Sequence, residues 1–196
     1  STREGWKRLS IQACCSAVPA MVGGRISAHS ATCIGAGLSQ PRAQALQEAR
    51  AKVLFGPRSG SKTAEMQVPA GLPPGPLAAL IDLKVTRVES LPEYHRESVR
   101  CGNASYGARA WRETVVTAEP VLATFSGAYR DGAPALIGND KARYLAALPE
   151  VDLLAEVMAQ TLAWAGVPVL ADLGDLRLSR RAGLHFAFNY GSAAVD

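Results

Sequence analysis

The segment from residue 56 to residue 77 constrains the fold of this chain more than any other part. It reads GPRSGSKTAEMQVPAGLPPGPL and has prolines at positions 57, 69, 73, 74 and 76. Each proline fixes one backbone angle and lacks an N–H donor, so neither a continuous helix nor a central strand can run through the segment. It is therefore predicted to be a long loop between two strands, the apolar run KVLF (52–55) and the alternating run LKVTRV (83–88).

Short strands separated by turn signals are predicted for most of the chain after this loop. Their ranges are 109–118, 121–125, 134–137, 143–148, 176–178 and 184–188. An Asp-Gly pair predicts a tight turn within 129–133, and the sequence RRAG predicts another at 180–183. The polar stretch 92–108 is predicted to be a loop.

Helices are predicted at 41–51, which begins with a proline suited to a first helical turn, at 76–81 and at 150–165. Apolar residues recur at three- and four-residue steps in the third, which predicts one buried stripe. This stripe consists of Val151, Leu154, Met158, Leu162 and Ala165. The alternation of helices, strands and hairpins favours an α/β layered domain.

Length and charge limit the class of protein. The 196 residues suit one domain and part of a second. The net charge of +4 is mild and no dense Lys/Arg block occurs, so we expect no nucleic-acid partner. The sequence has no run of about 18 apolar residues, so no segment is predicted to span a membrane. The four cysteines form no C-x-x-C pair, and we read them as thiols of a cytoplasmic protein.

The first 40 residues differ in composition from the rest. Residues 5–47 contain no Asp or Glu, and three of the four cysteines lie before residue 34. The apolar stretch near the start is interrupted by polar residues and proline, which argues against a secretory signal. Two explanations stay open for residues 1–40: a flexible basic arm, or a damaged or out-of-frame translation ahead of a sound domain.

The run GPRSGSKT (56–63) is similar to a phosphate-binding loop and raises the hypothesis of a nucleotide-binding protein. That chemistry needs G-x-x-x-x-G-K-[ST], in which amides cradle the phosphates and a helix follows. Here Ser61 separates Gly60 from Lys62, and the later prolines exclude the helix. The spacing therefore argues against nucleotide binding.

A Cys-His-Glu amidotransferase site would need a nucleophilic cysteine on a sharp turn after a buried strand. The turn after KVLF supplies Gly56, Pro57, Arg58 and Ser59, and no cysteine. Cys101 lies in a polar stretch without a preceding strand, so this activity is disfavoured.

Paired carboxylates would indicate glycoside hydrolysis. The candidate acids, which we interpret as solvated surface residues, are Glu89, Glu93, Glu97, Glu113 and Glu119. The histidines are scattered at positions 29, 95 and 185, and the last is expected to face solvent. Trp111 and Trp164 are interpreted as packing residues.

Several stretches, taken in order, resemble the trimerisation domain of family 42 β-galactosidases, glycoside hydrolases that act on terminal β-D-galactosides. The resemblance covers about residues 41–196, and its most specific parts are GPRSGSKT and RRAGLHFAFNYG. The stretches that carry it are 52–92, 110–115, 131–140, 143–148, 151–167 and 176–191. The chain departs from the family pattern at Lys141-Ala142-Arg143, where a glycine is usual, and in residues 1–40.

The resemblance implies a class I amidotransferase-like (flavodoxin-like) domain at 41–170, without the amidotransferase nucleophile, and the start of a small antiparallel β-domain at 171–196. Family members carry the catalytic glutamates on an N-terminal barrel that these residues do not include. The resemblance therefore implies no catalytic residue, no cofactor and no metal site here, with the galactoside bound by the barrel and a homotrimer formed through this domain.

The sequence thus predicts a non-catalytic, C-terminal trimerisation part of a β-galactosidase that hydrolyses terminal non-reducing β-D-galactosides. It is expected to be inactive alone, with no nucleic-acid or membrane partner. The alternative is a stand-alone amidotransferase-like binding module with a degenerate site.

Overall fold

The computed structural model describes residues 29–31, 40–48, 52–63, 65, 67–127, 130–167 and 174–193. The chain divides into two compact units, one of residues 18–167 and one that combines 1–17 with 168–196. Of the atypical segment 1–40, all but 29–31 and Gln40 lie outside the described residues. The explanations offered for that segment therefore stay predictions.

The described residues of the larger unit form one sheet of nine strands. Their bounds are β1 (His29–Ala31), β2 (Val53–Phe55), β3 (Leu83–Ser90), β4 (Glu97–Cys101), β5 (Ala104–Thr117), β6 (Val121–Phe125), β7 (Pro134–Gly138), β8 (Ala142–Leu145) and β9 (Ala147–Pro149). The order across the sheet is β1-β2-β8-β7-β6-β4-β5-β3, and β9 pairs with β5. The described helices of this unit are α1 (Gln40–Glu48), α2 (Val151–Trp164) and a 3₁₀ helix (Gly75–Ala79).

The expectation of a flavodoxin-like layered fold is wrong. Six of the eight pairings between the described strands are antiparallel, and β1 with β2 and β2 with β8 are parallel. Parallel strands need long crossover connections, usually helical, and the proline-rich loop after β2 leaves room only for the short 3₁₀ helix. Antiparallel pairing therefore builds most of the sheet, and the described part of the chain has more strand than helix.

Strand β4 was missed by the sequence prediction, which placed a loop at 92–108. Its inward residues are Glu97, Val99 and Cys101, with exposed fractions of 6%, 0% and 6%. A glutamate and a cysteine at inward positions conceal the apolar alternation that marks a strand. Gly102, with φ +60°, lies in the two-residue turn that joins β4 to a longer β5.

The two faces of the sheet have separate apolar cores. Neighbouring residues of one strand point to opposite faces, so Phe55 belongs to one core and Leu54 to the other. The first core also contains Leu77 of the 3₁₀ helix. The second contains Leu153 and Val157, with which α2 covers part of its face.

The predicted helix 150–165 is confirmed as α2, with Glu150 as its N-cap and Ala165 as its C-cap. The predicted stripe is mostly wrong, because the buried helical residues are Leu153, Val157 and Thr161. Leu154, Met158 and Leu162 are half-buried and flank them. Apolar residues lie on two neighbouring stripes of this helix, so the sequence does not determine which stripe is buried. The stripe that packs against the sheet is the one next to the predicted stripe.

The smaller unit contains the antiparallel hairpin of β10 (Leu176–Arg181) and β11 (Leu184–Asn189). The predicted turn is confirmed: Ala182 and Gly183 connect the strands with φ of 51° and 83°. Phe186 and Phe188 stack on one face of β11 with ring centroids 6.4 Å apart. Neither α-helix among the described residues is long and apolar enough to cross a membrane.

Candidate functional site

An open cavity of about 690 Å³ lies on the larger unit where β3, β5 and the β6–β7 turn meet. Charged side chains dominate its walls, and we call it the charged cavity. Its lining residues are Arg87, Glu89, Arg112, Arg130, Asp131, Gly132 and Ala133. Two strands supply the first three because Glu89 lies opposite Arg112 in the β3–β5 register.

Glu89 is the centre of the charged cavity. Its Oε2 atom accepts hydrogen bonds from Nε of Arg112 at 2.9 Å and from a terminal nitrogen of Arg130 at 2.6 Å. Its Oε1 atom lies 3.1 Å from the guanidinium of Arg87. Three guanidinium groups therefore converge on one carboxylate.

Arg112 links this carboxylate to a second one. A terminal nitrogen of Arg112 donates to Oε2 of Glu97, which is 6% exposed and lies 3.4 Å from Nε2 of His95. The five residues Glu89, Glu97, Arg87, Arg112 and Arg130 form what we call the arginine–glutamate network. Charge-assisted bonds of this kind hold both partners in fixed positions.

The network favours the charged forms of Glu89 and Arg112. The hydrogen bond from Arg112 lowers the pKa of Glu89 against the opposing effect of burial, and the charges of Arg112 and Arg130 add to the lowering. Burial acts to lower the pKa of Arg112, but the hydrogen bond to Glu89 and the charge of Glu97 outweigh it and raise that pKa. A general acid of a glycosidase must hold a proton near neutral pH, and Glu89 is held in the opposite state.

A second buried carboxylate, Glu113, lies on the opposite face of β5. Its Oε2 atom accepts a 2.6 Å hydrogen bond from the Tyr144 hydroxyl. Its Oε1 atom accepts bonds from the Trp111 indole N–H at 3.1 Å and from the backbone N–H of Arg58 at 2.8 Å. We call these four residues the Glu113 centre. Burial, followed by the charge and hydrogen bond of Glu113, raises the pKa of Tyr144 well above its usual value.

The loop that is similar to a phosphate-binding loop is attached to the Glu113 centre. Besides the Arg58 amide, the N–H of Ser61 bonds the Arg58 carbonyl at 3.2 Å, and the N–H of Thr63 bonds the Gln67 carbonyl at 2.8 Å. Gly60 has φ +71°, and a Cβ there would lie 1.9 Å from the carbonyl oxygen of Pro74. These amides bond protein oxygens, so they do not form a cradle for phosphate.

The interpretation of the five glutamates as solvated surface acids holds for Glu93, which is exposed, and is wrong for the other four. Glu97 and Glu113 are buried, with 6% and 1% of their surface exposed, and Glu89 is half-buried. Glu119 is half-buried and accepts bonds from the Asp82 backbone N–H and the Asn139 amide. One signal was present: alternation along β5 places Glu113 on the same face as the core residue Val115. Nothing local reveals the cross-strand partners.

The other candidate residues do not converge on one site. Cys101 is a buried thiol that accepts a bond from Gln160 at 3.1 Å, whereas His95 contacts Glu97. His185 is exposed on β11, as predicted. The side chain of His29 and the three other cysteines lie outside the described residues. Among the residues that the structure describes, no three His, Cys, Asp or Glu side chains could hold a metal ion together.

The two tryptophans pack, as predicted, and each also contacts a cation. Trp111 lies beneath the guanidinium of Arg58, whose central carbon is 4.5 Å from the ring centroid. Trp164 contacts the side chains of Lys52 and Arg143, each 4.6 Å from its ring centroid. Neither contact was evident from the sequence, because the cations come from distant segments.

The larger unit is thus a mixed-sheet domain whose clustered carboxylates are locked into salt bridges and hydrogen bonds, an arrangement typical of a structural or contact domain. A family model described as the beta-galactosidase trimerisation domain matches residues 36–168. The chain belongs to this family.

Relatives and solved structures agree with this assignment. A beta-galactosidase of Thermus thermophilus is 45% identical over 153 residues, which are 78% of this chain and 23% of that protein. BgaA of a Thermus species is 46% identical over 155 residues, 78% of this chain and 23% of its own. The crystal structure of beta-galactosidase from the psychrophilic Marinomonas ef1 matches with a TM-score of 0.70 and 33% identity, over 82% of this chain and 24% of that one.

The matches also show what share of each relative's length this chain covers. It spans less than a quarter of the length of the curated relatives named here. The stand-alone amidotransferase-like module is not supported, because the sheet is mostly antiparallel and the relatives are beta-galactosidases.

Proposed function

We propose that this chain is the non-catalytic trimerisation part of a β-galactosidase that hydrolyses terminal non-reducing β-D-galactosides. The match of residues 36–168 to the trimerisation-domain family is the observation that carries the proposal. The ionised state of Glu89 and the multiple hydrogen bonds of Glu113 support it, because both carboxylates serve structure. The galactoside would bind to a separate catalytic domain of the parent enzyme.

The proposed organisation assigns residues 41–170 to the trimerisation domain and 171–196 to the beginning of a small C-terminal β-domain. The hairpin of β10 and β11 supports the second assignment, since a two-stranded hairpin is marginally stable until further strands or a partner cover it. No catalytic, cofactor or metal site is proposed within the chain. We place the parent in the cytoplasm, which suits the free thiol of Cys101, without a nucleic-acid or membrane partner.

Three copies would meet through the face of β5 that carries the charged cavity. Val116 lies on this face, two residues beyond Thr114, and is 61% exposed. An exposed valine on the same face as the arginine–glutamate network matches the composition of a contact surface, with apolar area for burial and charges for register. Three copies around a three-fold axis need a heterologous contact, in which two different patches of each copy meet and the ring closes.

Sedimentation equilibrium of the 196-residue chain tests this proposal. We expect a concentration-dependent mass that approaches three times that of the monomer, and we expect Val116→Glu to shift the distribution towards the monomer. The matched control is Val68→Glu, because Val68 is 76% exposed in the proline-rich loop. A wild-type chain that stays monomeric at all concentrations, or turnover of a chromogenic galactoside by the purified chain, would overturn the proposal.

A further inference from the structure

Two cations contact one indole ring at the end of α2. Trp164 is the last residue of this helix, and Nζ of Lys52 lies 4.6 Å from its ring centroid. The guanidinium carbon of Arg143 lies 4.6 Å from the same centroid. Lys52 directly precedes β2, and Arg143 lies in β8, the parallel neighbour of β2. The strand pairing therefore brings the two cations to one ring.

These cations have no carboxylate partner in the part of the chain that the structure describes. The Lys52 ammonium donates to the backbone carbonyl of Asp140, and a terminal nitrogen of Arg143 lies 3.5 Å from the Thr161 hydroxyl. No described Asp or Glu oxygen lies within 4.0 Å of either cation. This differs from the charged cavity, where each arginine contacts a glutamate.

The two cations lie in a partly buried position with a third positive charge, Lys141, nearby. Lys52, Arg143 and Trp164 are all half-buried. Burial lowers the pKa of Arg143, and burial together with the Lys52 charge lowers the pKa of the neighbouring Lys141. Burial removes part of the water around Arg143 and Lys141, and the like charges of Lys52 and Lys141 repel each other. A bound anion would relieve both effects.

The indole ring and the carboxyl end of α2 balance only part of the positive charge of Lys52 and Arg143. The indole face attracts cations, and the carboxyl end of a helix carries roughly half an elementary charge. The last carbonyls of α2 are already engaged: Ala163 accepts from the Gly166 N–H at 3.0 Å, and Leu162 accepts from the Val167 N–H at 2.9 Å. About one full positive charge or more therefore stays without a partner.

We propose that Lys52 and Arg143, which both contact the ring of Trp164, form a binding site for a phosphate group. A phosphate carries close to two negative charges at neutral pH, which matches the two cations, and several acceptor oxygens. The guanidinium offers a planar fork of donors, and the ammonium offers a rotatable one. The site does not depend on the proposed trimer, because it lies on other elements than the charged cavity.

Isothermal titration of the 196-residue chain with sodium phosphate tests this site, against sodium chloride at equal ionic strength. We expect saturable binding of one phosphate per chain, weakened about tenfold or more by Lys52→Gln and by Arg143→Gln, since each removes a charged donor. Lys84→Gln is the matched control: it removes the same charge from an exposed position on β3 and should leave binding unchanged.

Absence of saturable phosphate binding to the wild-type chain would overturn the proposal whatever the variants do. Equal weakening by Lys84→Gln would also overturn it, since the effect would then follow net charge. Near-ultraviolet circular dichroism checks that each variant is folded. If Arg143→Gln fails that check, Lys52→Gln still decides the outcome, because loss of the Lys52 ammonium removes one hydrogen bond to a backbone carbonyl and one contact with the Trp164 ring from the fold.

Discussion

The Glu113 centre and the arginine–glutamate network both stabilise carboxylates away from bulk water, but with different hydrogen-bond donors. Both hold carboxylates out of bulk water, and both use β5, where neighbouring residues Arg112 and Glu113 point to opposite faces of the sheet. Glu113 receives its hydrogen bonds from an uncharged hydroxyl, an indole N–H and a backbone N–H. Glu89 and Glu97 receive theirs mostly from guanidinium groups.

This difference separates a structural role from a surface role. Neutral donors are fixed by the fold around Glu113, which is 1% exposed, so the centre ties the loop after β2 to the sheet. Long arginine side chains reach over the surface and leave an open cavity whose donors can meet another molecule. We therefore expect substitutions at the Glu113 centre to affect stability most, and substitutions in the network to affect stability less.

The largest effect is expected for Glu113→Ala. The substitution leaves Tyr144, Trp111 and the Arg58 amide without an acceptor in the core and creates a cavity, so we expect a loss of about 4 kcal/mol in the free energy of unfolding. Glu113→Gln retains one acceptor oxygen and should cost about half as much. Urea denaturation followed by circular dichroism measures both. A loss below about 1 kcal/mol for Glu113→Ala would contradict the role given to this centre.

Gly60→Ala tests the loop that the Glu113 centre holds. A Cβ at residue 60 would lie 1.9 Å from the Pro74 carbonyl oxygen, and φ there is +71°. We expect a loss of about 3 kcal/mol in the free energy of unfolding, because backbone must move to relieve the clash. The control is Gly71→Ala, where no atom lies within 4 Å of the added Cβ, and its effect should stay within about 0.5 kcal/mol. Equal effects at the two glycines would show that the loop adapts freely.

Local sequence signals predicted much of this structure. The proline-rich loop, the Asp-Gly turn, the RRAG turn and α2 each depend on residues close in sequence, and each was found at or near its predicted place. The fold class was wrong because strand direction depends on pairing between distant segments, which turn and propensity signals do not specify.

The site was harder to predict than the elements that carry it. Arg112 has partners 23 and 15 residues away in sequence, and Glu113 bonds Arg58 and Tyr144, which are 55 and 31 residues away. A glutamate within a strand is equally compatible with solvent and with a buried network, so sequence reasoning favoured solvent. Family resemblance gave the role of the domain, but it did not reveal these contacts.

Arg112→Ala is expected to have an intermediate effect. It removes the group shared by Glu89 and Glu97 and leaves the buried Glu97 without its arginine partner. We expect a loss of about 2 kcal/mol in the free energy of unfolding, below the ~3–5 kcal/mol typical of a fully buried pair, because the side chain of Glu89 is partly exposed. Arg87→Ala is the control: its side chain is 68% exposed, so its loss should cost about 0.5 kcal/mol or less. Similar losses for the two arginines would contradict a network centred on Arg112.

The pH dependence of stability should show the smallest effect and should separate the two regions further. The folded-state pKa of Glu89 is lowered, chiefly by the hydrogen bond from Arg112, from an ordinary value of 4.5. The resulting stabilisation is fully present above that ordinary value and is lost as the pH falls below it through the folded-state pKa. Urea denaturation between pH 7 and pH 3 should therefore show an acid-side loss of stability that is smaller in Glu89→Gln than in the wild-type chain. Because the loss requires a charged partner, 1 M sodium chloride should reduce it. An unchanged acid-side loss in Glu89→Gln would mean that other carboxylates, and not the arginine–glutamate network, set the acid limit of the fold.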